Sequence, residues 1–241
     1  MKCILVLICA FTMLSGVAQS NDSISMGKHS KLSYKPLIVP ALLIGGGFAL
    51  LNTNANDRLQ TDIRSAFGKD FHTKADDYLQ YEAVLQIYGG RYLGFQPKND
   101  LLHQTINIVV ANTIMCGAVQ MMKHSFKEER PDLSDTSSFP SGHTGTAFTN
   151  ATLLFYEYKD SNIWYASSGF LFATATGAFR IANNKHRTSD VLEGAGIGMA
   201  VGTIVSYWCP FQSFTFGKNK THAFLYPQMG TNYGIGLVLE R

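Results

Sequence analysis

Lys123 is followed after six residues by Arg130-Pro131, then by Pro140-Ser141-Gly142-His143, and finally by Arg180, His186 and Asp190 with five and three residues between them. Lys123, Arg130 and Arg180 are three cations, two of them planar guanidinium forks that match the oxygens of a phosphate. Cations gathered at one point require an anion to balance them. His186 and Asp190 are four apart and share one face if that stretch is helical. A carboxylate bonded to one imidazole nitrogen fixes the tautomer and leaves the other nitrogen free to attack. His143 supplies a second imidazole, able to protonate a leaving oxygen and later to activate water. Ser141 precedes an apolar run and can cap a helix there. The first backbone N–H groups of that helix form a natural anion seat, which Gly142 would let a ligand approach closely.

These clusters need elements that fold them together. Five segments are long, apolar and free of Lys and Arg: 36–51, 106–122, 144–155, 163–179 and 191–208. Each reads as a helix, a little shorter than the roughly 20 residues that span a bilayer comfortably. Buried helices of a soluble bundle are therefore the alternative to membrane spans. If the helices run antiparallel with short loops, all three clusters fall at one end of the bundle. The opposite end then receives 158–162, with Trp164 and Trp208 placed where interfacial aromatics are useful. Residues 52–105 are more polar and read as helical pieces and loops. The tail from Phe211 alternates like a strand around Tyr226 and Tyr233-Gly234-Ile235-Gly236, and reads as a short hairpin or an irregular end.

The 241 residues suit one domain with a substantial core. Charged residues make up 15%, against about 25% in ordinary soluble proteins. The net charge of +3, without a basic run or aromatic-interleaved patch, argues against a nucleic-acid partner. Residues 1–20 read as an export signal, with Lys2, an apolar run and small residues around Ala18, or else as a first membrane helix. Residues 21–210 would form the helical domain and 211–241 the tail. Cys116 and Cys209 read as small hydrophobes rather than a disulfide, and no Cys/His cluster suggests a metal. Lys218 and Lys220 would follow the last span on the cytoplasmic side.

Read together, KHSFKEERP, PSGH and FRIANNKHRTSD resemble the motifs K-x6-R-P, P-S-G-H and S-R-x5-H-x3-D of the type 2 phosphatidic acid phosphatase superfamily, which includes vanadium haloperoxidases. The resemblance covers 123–190 and implies an all-α helical bundle. It makes His186 the nucleophile of a phosphohistidine mechanism, Asp190 its orienting partner and His143 the general acid. Lys123, Arg130, Arg180, Ser141 and Gly142 would hold the phosphate, with no metal or cofactor. One position departs: Phe179 stands where the family has Ser before the arginine, a change that would weaken the phosphate cradle.

The resemblance implies an envelope phosphatase acting on a lipid-linked phosphate monoester, with lipid A and its 4′-phosphate among the candidates. A soluble periplasmic acid phosphatase, an undecaprenyl pyrophosphate or phosphatidylglycerophosphate phosphatase and a haloperoxidase are the alternatives. The expected location is the inner membrane with the site facing the periplasm, or the periplasm itself. Outside the motifs, His72, His103 and His222 read as structural, and His29 as part of a solvated basic stretch. Asp76-Asp77 reads as a helix N-terminal or surface pair. Glu193 reads as a supporting residue near the pocket rim. Tyr88, Tyr92 and Phe95 read as a substrate lip or as packing.

Overall fold

A computed structural model describes residues 34–68, 70–208, 222–228 and 234–240. Residues 1–33, with the export segment and His29, lie outside the described residues, as do Cys209, Lys218 and Lys220. The chain divides into two units, 1–209 and 210–241.

The first unit is helical. A short turn at Lys35–Leu37 leads into α1 (Ile38–Leu50), followed by α2 (Asn54–Phe67), α3 (Ala75–Leu79) and α4 (Glu82–Gly89). The longer α5 (Leu101–Phe126), α6 (Gly142–Tyr158), α7 (Ile163–Ala182) and α8 (Thr188–Trp208) complete it. Each of the five apolar segments is thus a helix, and 52–105 is helical pieces and loops. Capping residues set several starts: Thr53 accepts from the Asn56 N–H, Asp100 from His103 and Asn162 from Tyr165. Lys127 ends α5 in the left-handed region, at φ 49°. The second unit contains an antiparallel pair, β1 (His222–Gln228) and β2 (Gly234–Glu240), with Tyr226 opposite Gly236.

The core gathers Ala111, Met115 and Val119 of α5, Leu154 and Tyr158 of α6, and Ile197, Val201 and Val205 of α8. Small residues decide how closely α8 approaches its neighbours. Gly194, Gly198 and Gly202 recur every four residues and share one face. A Cβ on Gly194 would lie 2.4 Å from the Ser141 carbonyl oxygen, and one on Gly198 2.4 Å from that of Gly145. On another side, a Cβ at Gly196 would stand 2.9 Å from the Pro40 carbonyl oxygen of α1. The α6–α8 seam is therefore backbone against backbone, the packing that small residues at four-residue spacing permit. Gly194→Ala is expected to cost on the order of 3 kcal/mol, since neither backbone can yield without moving a helix. Thermal unfolding in detergent should show it as a fall of roughly 6 to 12 °C.

The helix α5 is long and apolar enough to cross a membrane, and the turn-plus-α1 segment with α2 passes the same test as a pair bent by 105°. At 26 residues, α5 is about 39 Å long. Its flank keeps Val109, Ile114 and Met121 exposed, and α1 exposes Ile38, Val39 and Leu42.

Candidate functional site

The catalytic candidates sit at one end of the bundle, where α5 and α7 finish and α6 and α8 begin. His186 lies in the short connection between α7 and α8 and is 1% exposed. Its Nδ1 faces Asp190 Oδ2 at 3.3 Å, in the first turn of α8. That pairing leaves Nε2 as the ring nitrogen with a lone pair. Asp190 is itself held on every side. Its Oδ2 accepts from the Ser138 hydroxyl and from the Arg187 N–H at 3.0 Å, while Oδ1 accepts from Ser189 Oγ at 3.1 Å. Its carbonyl accepts from the Ser141 N–H at 2.9 Å, tying α8 directly to the start of α6.

A second layer fixes this connection from α2. Asn56 donates to Ser189 Oγ at 2.8 Å and accepts from the Ser189 N–H at 3.0 Å. Gln60 donates to the Asn184 side chain at 2.6 Å. Asn184 has φ 58°, a left-handed conformation that Asn tolerates better than most residues. The nucleophile candidate is thus rigidly seated by hydrogen bonds rather than by apolar packing alone.

The cations approach from three elements. Lys123, in the last turn of α5, donates to the Ser137 carbonyl and lies 3.5 Å from that of Ser138. Arg130 pairs with Asp135 at 3.7 Å, and its Nε is buried without a hydrogen-bond partner among the described residues. Arg180, in the last turn of α7, donates to Asp76 Oδ2 at 2.8 Å, and its Nε is likewise buried and unbonded. Two guanidinium N–H groups thus remain as donors for an incoming oxyanion. The fields of Arg180 and Lys123 both reach His186, and that of Arg180 also reaches His143. The loop bearing Arg130 is clamped by Lys185 on Asp132 at 2.5 Å and by Arg187 on the Glu129 carbonyl at 2.7 Å. Burial pushes Asp132 upward, but its hydrogen bonds with Lys185 and Ser134 outweigh that and hold it down at about 2.

His143 is the second residue of α6. Its Nε2 meets Asp77 Oδ1 at 2.9 Å, with the imidazole 30% and the carboxylate 48% exposed. Ser141 occupies the N-cap position of α6 and is fully buried, but its hydroxyl bonds Thr144 Oγ1 at 2.9 Å instead of a backbone N–H. The expected side-chain cap is therefore absent, because a nearby hydroxyl competes for the serine oxygen. At Gly142 a Cβ would meet only Val119, at 3.8 Å. The protein itself leaves room there, so any demand for glycine comes from what approaches from outside.

Several sequence expectations are corrected. Asp76 and Asp77 open a short helix as expected, and Asp77 is exposed, but Asp76 is not a surface residue. Asp76 is 1% exposed, bonded to Arg180 and to Asn183 Nδ2 at 3.1 Å. They lie 104 and 66 positions from their partners, so motif spacing could not reveal them. Ser138, two residues before the Pro140 motif, was also missed. Glu193 is not at a pocket rim: it packs against Gly47 of α1, with Oε2 buried and unbonded. Tyr88, Tyr92 and Phe95 form no substrate lip. Tyr88 bonds Thr105, Phe95 stacks on Tyr165 at 4.5 Å, and Tyr92 is 86% exposed. The neighbouring Gln96 and Lys98 bond Ser161 and Glu157, at the end of the bundle away from His186. Phe179 turns into an aromatic cluster with Phe67 and Phe71, at 6.0 Å from each. Its ring thereby ties α7 to the end of α2. His72 is exposed, and His103 bonds Asp100 at 2.6 Å.

Residues 104–214 match the family model described as the PAP2 superfamily. The chain carries a PAP2 superfamily domain. The matched region holds every motif residue named above, while Asp76 and Asp77 lie before it. A lipid A 1-phosphatase of Porphyromonas gingivalis is 36% identical over 161 residues, covering 66% of this chain and 36% of that protein. A PA-phosphatase related-family protein of Dictyostelium discoideum is 25% identical over 152 residues, covering 53% of this chain and 56% of that protein. The chain thus spans 36% and 56% of the length of these curated relatives. Among solved structures, Aquifex aeolicus LpxE aligns with TM-score 0.49 and 23% identity over 65% of this chain and 98% of that one. A transmembrane PAP2 type phosphatidylglycerolphosphate phosphatase of Bacillus subtilis aligns with TM-score 0.47 and 18% identity over 72% of this chain and 94% of that one.

Proposed function

We propose that this PAP2 domain hydrolyses a lipid-linked phosphate monoester, with lipid A as substrate. The observation that carries the reading is the buried His186–Asp190 pair beside two guanidinium groups that each retain an unbonded N–H. Lys123, Arg130 and Arg180 hold the non-bridging phosphate oxygens, helped by the Gly142 amide. His186 Nε2 attacks phosphorus in line, and His143 gives its proton to the departing oxygen as the P–O bond breaks. The phosphohistidine is then attacked by water, which loses its proton to His143. Inorganic phosphate leaves, and both imidazoles return to their starting states. Asp190 stabilises the positive charge that His186 carries in between.

The substrate class draws on the P. gingivalis relative, whose name places its activity at the 1-phosphate of lipid A. We take that position, rather than the 4′ one, as the group removed. The membrane reading draws on α5 and on the exposed apolar flanks of α1 and α5. In it, segments 106–122, 144–155, 163–179 and 191–208 lie at bilayer depth. Lys123, His143, Arg180, His186 and Asp190 lie just beyond them on the non-cytoplasmic side.

Expressing the full chain in cells with defined envelope lipids, and fragmenting their lipid A by mass spectrometry, tests this directly. Loss of one phosphate from the 1-position supports the proposal. Loss from the 4′-position alone corrects the site of attack, and unchanged lipid A with another phospholipid altered replaces the substrate.

The same geometry predicts pH dependence. Burial, reinforced by Arg180 and Lys123, holds His186 below the ordinary 6.5 despite the opposing pull of Asp190. Burial and Arg180 also hold His143 below 6.5, against Asp77 and Asp76. The nucleophile must be neutral and the acid protonated, so kcat/KM rises as His186 loses its proton and falls as His143 does. Its maximum is expected on the acid side of pH 6.5. A profile still rising through neutral pH would contradict these assignments.

A further inference from the structure

The short helix α3 contributes a residue to the reaction that lies outside the matched family region. We propose that Asp77 is a positioning residue for His143, fixing which ring nitrogen meets the leaving oxygen. The inference rests on the proposed phosphatase reading and deepens it.

The placement of Asp77 is imposed by the site itself. Asp76, its neighbour, is pinned by Arg180 at 2.8 Å and by Asn183 Nδ2 at 3.1 Å. Asn183 also bonds the residue range leading into α3, accepting from the Thr73 N–H at 2.9 Å and donating to the Thr73 carbonyl at 2.8 Å. The helix therefore hangs from the end of α7 by its first turn. Adjacent helical residues point about 100° apart, so anchoring Asp76 on Arg180 turns Asp77 toward a different target. That target is His143 Nε2, at 2.9 Å.

The consequence for the chemistry follows from the two faces of an imidazole. With Nε2–H donated to Asp77, Nδ1 is the nitrogen that exchanges protons with substrate. In the first half-reaction the Nδ1–H bond breaks as the proton passes to the leaving oxygen. In the second, neutral Nδ1 takes a proton from the attacking water. Asp77 keeps the ring in one orientation through both and stabilises its protonated state, the task Asp190 performs for His186. The charged groups acting on His143 are Arg180 from α7 and the two carboxylates of α3. Asp77 is the one in direct contact.

The test uses the full chain in detergent, with Asp77→Asn and Asp77→Glu beside the natural protein. Turnover is measured on lipid A and on an aryl phosphate, and His143 is followed by NMR with labelled histidine. Asp77→Asn is expected to lower kcat on lipid A about 10- to 100-fold, with a smaller loss on the aryl ester. The basic limb of its kcat/KM profile and the His143 titration should both move to lower pH, and Asp77→Glu should recover part of the rate. An unmoved His143 titration overturns the inference whatever the activity. Equal losses on both substrates with an unshifted profile overturn it too, since they mark a purely structural role. A gain in kcat/KM would overturn it by showing that Asp77 competes with substrate. Absence of any turnover by the natural protein, with the titration shifted as expected, would instead strike the phosphatase reading.

Discussion

Replacing His186 by alanine is expected to lower turnover by at least about 10⁴-fold, because no other side chain can form the covalent intermediate. The loss should fall on kcat more than on KM, since Lys123, Arg130 and Arg180 still hold the substrate phosphate. The natural protein, quenched in alkali during turnover, should carry phosphate in an acid-labile, base-stable linkage. His186→Ala should carry none. His186 is almost fully buried and its Nδ1 faces Asp190, so a thermal melt must accompany the assay. His186→Asn offers a polar replacement of smaller volume change. Phosphate trapped at another residue in either variant would remove His186 from the role.

His143→Ala is expected to discriminate between leaving groups. A sugar or alkyl oxygen departs poorly without a proton, so turnover on lipid A should fall by about 10³-fold. A nitrophenyl ester, whose oxygen leaves readily as an anion, should form the phosphoenzyme at nearly the natural rate. Its breakdown would then be slow, because no base activates water. Stopped-flow should show a burst of nitrophenol followed by a much slower steady state. Comparable losses on both esters without a burst would mean that His143 binds phosphate instead of moving protons.

How much of this was legible in the sequence depends on how each group is held. Lys123, His143, Arg180 and Asp190 sit on helix ends, and Arg130 and His186 in the connections beside them, where fixed spacing translates directly into a shared position in space. Their convergence could be read because apolar runs between them set the helix directions. Asp76, Asp77 and Ser138 could not be read in the same way. Their partners are 104, 66 and 52 residues distant, and the intervening chain turns through loops of no regular period. Ser141 shows the opposite failure. Local rules favoured a cap, but Thr144 one turn later offers its own hydroxyl, and side-chain pairing prevailed. Phe179 reads as a defect in the phosphate cradle when judged by motif alone. In the fold it is an anchor, packed on Phe67 and Phe71. Glu193 lies three residues beyond Asp190, yet its side chain rests on Gly47 of α1 because α8 threads between α6 and α1.

The glycine seam between α6 and α8 bears on how the protein would respond to its surroundings. His143 rides on one side of that seam and the His186–Asp190 pair on the other, so their separation is set by peptide groups already touching. In the proposed membrane setting, acyl chains of different length or order would press on long, yielding side chains such as Leu42, Ile114 and Met121 at the periphery. The seam has no slack to transmit that pressure inward. Lipid composition is therefore expected to tune insertion and endurance while leaving the intrinsic rate of phosphate transfer nearly constant.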